Sequence, residues 1–356
     1  MRILFFLAAV ATVFGHEGMT LEEKVGQVLM VHFHGEVVNE DAKALVQETK
    51  VGSIIYYNWS NGLHSPEQVR SLSADLQALA SIPLLIAADQ EGGRVARLKE
   101  GFTSFPSNQV VAESGDSNAA ERGALAMGRE MRSVGVNMNL APVVDVNSNP
   151  QNSVLGDGCF GGTPDVVIAF GEKALSGYRQ AGVFSTLKHF PGYGDVSVDP
   201  HADLPINQKS MEELEKIELF PFAKLAPSAD AIMTAHILVP AFDPENCATL
   251  SEKTLSYLRD VIGFQGVIIS DSLVMQGVIK QCQTVDEAAI RSFNAGCDLL
   301  ILGGRLLVGE YEGFEMTRDD VQRVALSMVD AVKAGRISEE RLNDSVDRIL
   351  QLKAKL

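Results

Sequence analysis

Eight short apolar runs recur along the chain, each followed by a longer stretch whose apolar residues have helical spacing. The runs are residues Gly26–His32, Val51–Tyr57, Pro83–Ala88, Val136–Val144, Gly182–Lys188, Ala231–His236, Gly266–Ser270 and Cys297–Leu302. Several are apolar almost throughout, as in Leu84-Leu85-Ile86-Ala87-Ala88 and Val267-Ile268-Ile269. Continuous apolar strands suit a sheet buried on both faces, which is the situation of parallel strands covered by helices. Eight strand–helix alternations with no linker between them predict a single α/β domain, the (β/α)8 TIM barrel. A doubly wound open sheet is the alternative. No G-x-G-x-x-G turn follows the first run, so a dinucleotide site has no support and no cofactor is expected.

The intervening helices are expected at Ala42–Lys50, Ser65–Ala80 and Ala119–Val134. Ser210 and Glu213 have capping-box spacing. Ser338 would cap a last helix whose Leu342, Val346, Ile349 and Leu350 share one stripe.

Residues 1–15 read as a secretory signal, with Arg2 before a short apolar run and cleavage before His16; the barrel would occupy residues 16–356. A buried first helix or strand is the other reading of that run. No later segment looks membrane-spanning. Cys159, Cys247, Cys282 and Cys297 include no C-x-x-C pair, so zinc-ribbon and redox motifs are absent and disulfides stay undecided. The net charge of -16 repels phosphate backbones and argues against nucleic acid as a partner. The plainest reading of the charge is solubility.

In a (β/α)8 barrel the active site lies at the C-terminal ends of the strands. Asp89 to Arg97 follow the third run, and Asp145 ends beside the fourth. Lys188 and His189 close the fifth, His236 the sixth, and Asp271 the seventh. Any one of these fits a satisfied structural group; their common placement points to a site. Asp271, carried on a rigid strand, suits a nucleophile, although a strand-end cap is also consistent with it. Residues Asp195–Leu204 form a loop rich in turn formers. Within it Asp199 and His201 are two apart, so that a carboxylate can orient an imidazole able to exchange protons near neutrality.

At these residues the sequence resembles glycoside hydrolase family 3, in its single-domain β-N-acetylhexosaminidases of the NagZ type. The resemblance runs from Leu21 to Leu356. It rests on Asp89-Gln90-Glu91-Gly92-Gly93-Arg94-Val95-Ala96-Arg97, Ala141–Val146, Lys188-His189-Phe190-Pro191-Gly192, Asp199-Pro200-His201, Glu218–Phe222 and Ser270–Met275. It implies a retaining two-step mechanism, with Asp271 as nucleophile and His201, paired with Asp199, as general acid/base. It implies sugar-binding roles for Asp89, Arg97, Lys188, His189 and the neighbourhood of Met275. Related β-glucosidases draw a glutamate from an additional domain, and the absence of one here favours the hexosaminidase branch.

Three positions depart from the family pattern. Gly158 stands where an arginine helps hold the sugar, Tyr193 where a histidine is usual, and Pro200 where a serine is common. Gly158 leaves room for a β-glucosidase or a phosphorylase. Gly158 and Tyr193 together motivate a sugar-binding protein without catalysis, against which the retention of Asp199, His201 and Asp271 speaks. A metal-dependent hydrolase finds no His-x-x-x-His spacing, and Lys188 would repel a cation.

Overall fold

The apolar runs become eight parallel strands in a computed structural model that describes residues 15–149, 151–152, 154–196, 203–306 and 312–356. They are β1 Leu29–Val31, β2 Ser53–Ile55, β3 Leu85–Ala88, β4 Met138–Asn139, β5 Phe184–Phe190, β6 Ala231–Thr234, β7 Val267–Ile269 and β8 Leu300–Ile301. Their order is β7-β6-β5-β4-β3-β2-β1-β8. The two outer strands meet through a parallel bridge between Ile269 and Leu299, with Ser270 N donating to Leu299 O at 2.9 Å. The sheet thus curls into the expected barrel rather than an open sheet.

Leu29, Ile54, Leu85, Ile86, Leu187, Ile232, Ile268 and Leu300 are all buried. Each such side chain contributes roughly 1.5–3 kcal/mol by leaving water. Helices pack around the ring. The pair Ser117–Ser133 and Pro164–Ala181 approaches closely because Gly177 faces the Glu121 carbonyl, where a Cβ would lie 2.4 Å from the oxygen.

Every strand but the fifth is shorter than its apolar run, and two boundaries move. Gly26 and Gln27 belong to a helix, Leu21–Gln27, instead of the first strand. The cause is a capping box: Thr20 Oγ1 accepts from Glu23 N at 3.2 Å, and Glu23 Oε2 accepts from Thr20 N at 2.9 Å. The fifth strand continues past Lys188 to Phe190. Among the helices, Ser65 caps Pro66–Leu79, and the stretch expected at Ala119–Val134 is Ser117–Ser133. Ala42–Lys50 is a short α-helix running into a π-turn at Ala44–Glu48. The Ser210/Glu213 box and the Ser338 cap are both present.

The N-terminal end of the barrel is fixed by buried charge. Asp298 accepts from Ile268 N at 2.9 Å and Ser345 Oγ at 2.8 Å, and it pairs with Arg259, Arg341 and Arg348. Lys353, from the last helix, is buried and donates to Gln27 Oε1 at 2.7 Å and Gly52 O at 2.8 Å. Burial brings its ammonium down to about 7. Among the described residues the four cysteines are free and buried, and no helix is long and apolar enough to cross a membrane. The signal expected at residues 1–15 lies, except for Gly15, outside the described residues.

Candidate active site

The third strand delivers its polar segment to the opposite, C-terminal end of the barrel. Buried Gln90 holds that segment in place. Its side chain accepts from Arg97 N at 2.9 Å and Leu98 N at 3.0 Å and donates to Leu98 O at 2.9 Å. Its main chain is paired with Asn139 at 3.0 and 2.8 Å, so the loop is tied to β4 as well. Gly92 makes the fold-back feasible: its φ is 93°, and a Cβ there would stand 2.3 Å from Pro106 O.

This loop brings Arg97 back to Asp89. Arg97 Nη2 donates to Asp89 Oδ2 at 2.9 Å, and Lys188 Nζ, from β5, donates to Asp89 Oδ1 at 2.9 Å. Lys188 also pairs with Glu91 at 2.7 Å. Burial alone would favour neutral Asp89, but the Lys188 and Arg97 charges outweigh it and hold the carboxyl well below the usual carboxylate range. Lys188 is pushed the other way: burial opposes its charge, yet Asp89 and Glu91 keep it firmly protonated. Charge-assisted bonds of this kind are short and directional, and they give a rigid rim of donors and acceptors. The two carboxylates already face two cations, so this pocket suits a neutral, hydroxyl-rich ligand better than a metal ion.

Asp145, fully buried after β4, orients the next residue. It accepts from Tyr193 N at 2.7 Å, His189 N at 3.2 Å and His189 Nδ1 at 2.9 Å. With two backbone donors already on the carboxylate, Nδ1 carries the ring proton, and Nε2 is the atom left for a ligand. The Tyr193 ring lies 5.2 Å from the His189 ring. Burial, and then the nearby Asp271 carboxylate, push the Tyr193 phenol up. The unusual tyrosine is therefore a buried wall between His189 and Asp271.

Asp271 follows β7 and is partly exposed. Its Oδ1 accepts from Ser272 N at 2.7 Å, and Ser272 is fixed in turn by its hydroxyl donating to Gly303 O at 2.6 Å. His236 Nε2 donates to Ser272 O at 2.8 Å, giving the sixth-strand histidine a positioning place beneath the site. Met275 is buried at the start of the helix Gln276–Cys282. Tyr57, after β2, ties the two halves together. Arg97 lies over its ring at 5.4 Å, and after burial the Asp89 and Asp271 charges both raise its phenol.

Asp89, Arg97, Lys188, His189, Asp271 and Met275 are thus gathered at one end of the barrel. His201, Asp199 and Pro200 lie outside the described residues. The chain entering that loop is braced where Lys209 pairs with Asp195 at 3.1 Å and with buried Glu218. Gly158 lies beside Glu91: a Cβ on it would be 3.6 Å from Glu91 Oε2. Glu91 and Tyr57 were missed as site residues. The carboxylate of Glu91 turns inward because of the Gly92 fold-back, and sequence spacing carries no signal for that.

Residues 20–352 match the profile of the Glycosyl hydrolase family 3 N terminal domain. The chain is 34% identical over 381 residues to the Beta-hexosaminidase A of Pseudoalteromonas piscicida, covering 95% of this chain and 62% of that protein. It is 33% identical over 281 residues to a Beta-hexosaminidase of Nitrosomonas eutropha, covering 77% of this chain and 80% of that one. Among solved structures, a glycoside hydrolase family 3 beta-N-acetylglucosaminidase from Paenibacillus sp. str. FPU-7 superposes with a TM-score of 0.88 at 41% identity. That match covers 95% of this chain and 62% of the Paenibacillus protein, so the chain spans about three fifths of the Pseudoalteromonas and Paenibacillus relatives.

Proposed function

The chain belongs to glycosyl hydrolase family 3, and from that premise we propose that it is a retaining exo-β-N-acetylglucosaminidase. The observation that carries the reading is the pairing of two unlike carboxylates at one barrel mouth. Asp89 is held ionised by two cations and immobile, which suits recognition of sugar hydroxyls. Asp271 is partly exposed, with one oxygen fixed by Ser272 N, which suits attack by the other on an anomeric carbon.

In the first step Asp271 displaces the leaving group and forms a glycosyl ester. His201, oriented by Asp199, gives its proton to the leaving oxygen. In the second step His201 takes a proton from water, which releases the sugar with its β configuration restored. The roles of His201 and Asp199 rest on the family pattern. Lys188 and Arg97 would donate to sugar oxygens, and His189 Nε2 would accept from a sugar hydroxyl.

The natural substrate we propose is a peptidoglycan fragment, reached by a protein exported through residues 1–15. A histidine acid/base carries no negative charge in either protonation state, so it avoids the repulsion that a carboxylate would exert on an anionic muramic-acid leaving group. A β-glucosidase is the second reading, favoured by the absence of an arginine at Gly158.

A panel of aryl β-glycosides, with product stereochemistry followed by NMR, tests both. N-acetylglucosaminides should be cleaved with retention. Preference for glucosides, or release of the α anomer, overturns the assignment. His201→Ala should slow substrates with poor leaving groups far more than activated aryl ones, and equal losses would remove the acid role. The exported protein should begin at His16 by N-terminal sequencing, and a retained Met1 would remove the export reading.

A further inference from the structure

His32 follows β1 directly and is 2% exposed, yet neither of its ring nitrogens has a hydrogen-bond partner. A buried imidazole left in that state forfeits its hydration without compensation, so the position calls for an explanation. Glu315, brought in by the segment after β8, supplies half of one. Its Oε2 also lacks a hydrogen-bond partner and stands 3.7 Å from His32 Nε2. Its Oε1 lies 2.8 Å from His34 Nε2.

An ordinary ion pair accounts for His34 and Glu315. It does not account for His32, which sits among the rings of Trp59 at 5.0 Å and Tyr57 at 5.8 Å.

We propose that His32, His34 and Glu315 form a binding site for a divalent transition-metal ion on the rim of the barrel between β1 and β8. One ligand atom from each of the three lies within 4.8 Å of the others. In a tetrahedral zinc site, bonds of about 2.0–2.2 Å put donors roughly 3.3 Å apart, so small rotations of His34 and Glu315 complete the set. Two imidazoles and one carboxylate match the donor preferences of zinc and leave a fourth position for water. Arg305 opposes binding: it lies 4.8 Å from the Trp59 ring, and its charge is felt at His32. The Glu315 carboxylate offsets that charge. None of the three ligands is among the groups assigned to the reaction; the ion pins the segment after β8 to the end of β1.

The test is calorimetric titration of the full, chelator-stripped chain with zinc chloride. Wild type and His201→Ala should share a zinc site. His34→Ala and Glu315→Gln should weaken it by about tenfold or more. His34 is exposed, so His34→Ala should keep the wild-type circular dichroism spectrum. The assignment is overturned by a wild type that binds no zinc. Affinity unchanged in His34→Ala and Glu315→Gln, or lost in His201→Ala alone, overturns it equally.

Discussion

Lys188 Nζ stands 2.9 Å from Asp89 Oδ1, a bond that reaches from β5 to β3 across the intervening β4. Asp89 serves two cations at once, so its loss takes the charge partner from Arg97 and leaves buried Lys188 with Glu91 in place of two carboxylates. Asp89→Asn should therefore destabilise the fold by on the order of 3 kcal/mol and raise KM on an aryl N-acetylglucosaminide. Urea denaturation and steady-state kinetics check both. An unchanged midpoint together with unchanged KM would show that the cluster neither holds the fold nor binds the sugar.

Asp271 behaves differently, because it is partly exposed and its Oδ1 accepts a local bond from Ser272 N. Asp271→Ala should lower kcat by about three orders of magnitude or more, with a thermal midpoint close to that of wild type. A loss of less than tenfold would sink its assignment as nucleophile.

Gly158 offers a gain of function. It has ordinary room for a Cβ, 3.6 Å from Glu91 Oε2, and no positive φ stands in the way. An arginine there finds a carboxylate partner at the edge of the sugar pocket. Gly158→Arg should lower KM about fivefold, the equivalent of ~1 kcal/mol. A KM that stays level or rises would mean that the departure is not what limits affinity.

Lys353 makes stability depend on pH. Its folded ammonium titrates at about 7 against 10.5 for the free side chain. Between those values the unfolded chain holds a proton that the folded chain lacks, so unfolding free energy rises with pH across that window. Below it the buried charge works fully against folding. Comparing wild type with Lys353→Met by urea denaturation at pH values about 6.5, 8.5 and 10 isolates this group from the other titrations. The wild type should gain on the variant at each step; a constant difference would contradict it.

Much of the fold was legible in the sequence. Strands buried on both faces are apolar at most positions, so the runs stand out without alternation even though buried Ser53, Asn139 and Thr186 interrupt them. Boundaries were less legible. The apolar pattern before Val28 is shared by a helix end and a strand start, and the Thr20 capping box decides between them. In the site, Asp89, Lys188, His189 and Asp271 were legible because strand ends locate them. Glu91 was not, since its direction depends on the turn at Gly92. Nor was the His34–Glu315 contact, which joins residues 281 apart.

The ring of strands carries a last consequence. Asp89 follows β3 and Asp271 follows β7, and the strand order puts four steps between them in either direction round the barrel. They are antipodal, and the span separating them is a diameter. No single loop sets that span; it belongs to all eight strands together. A cavity cut into a strand that carries neither carboxylate, at Ile54 or Ile232, would reach the chemistry as a change of calibre.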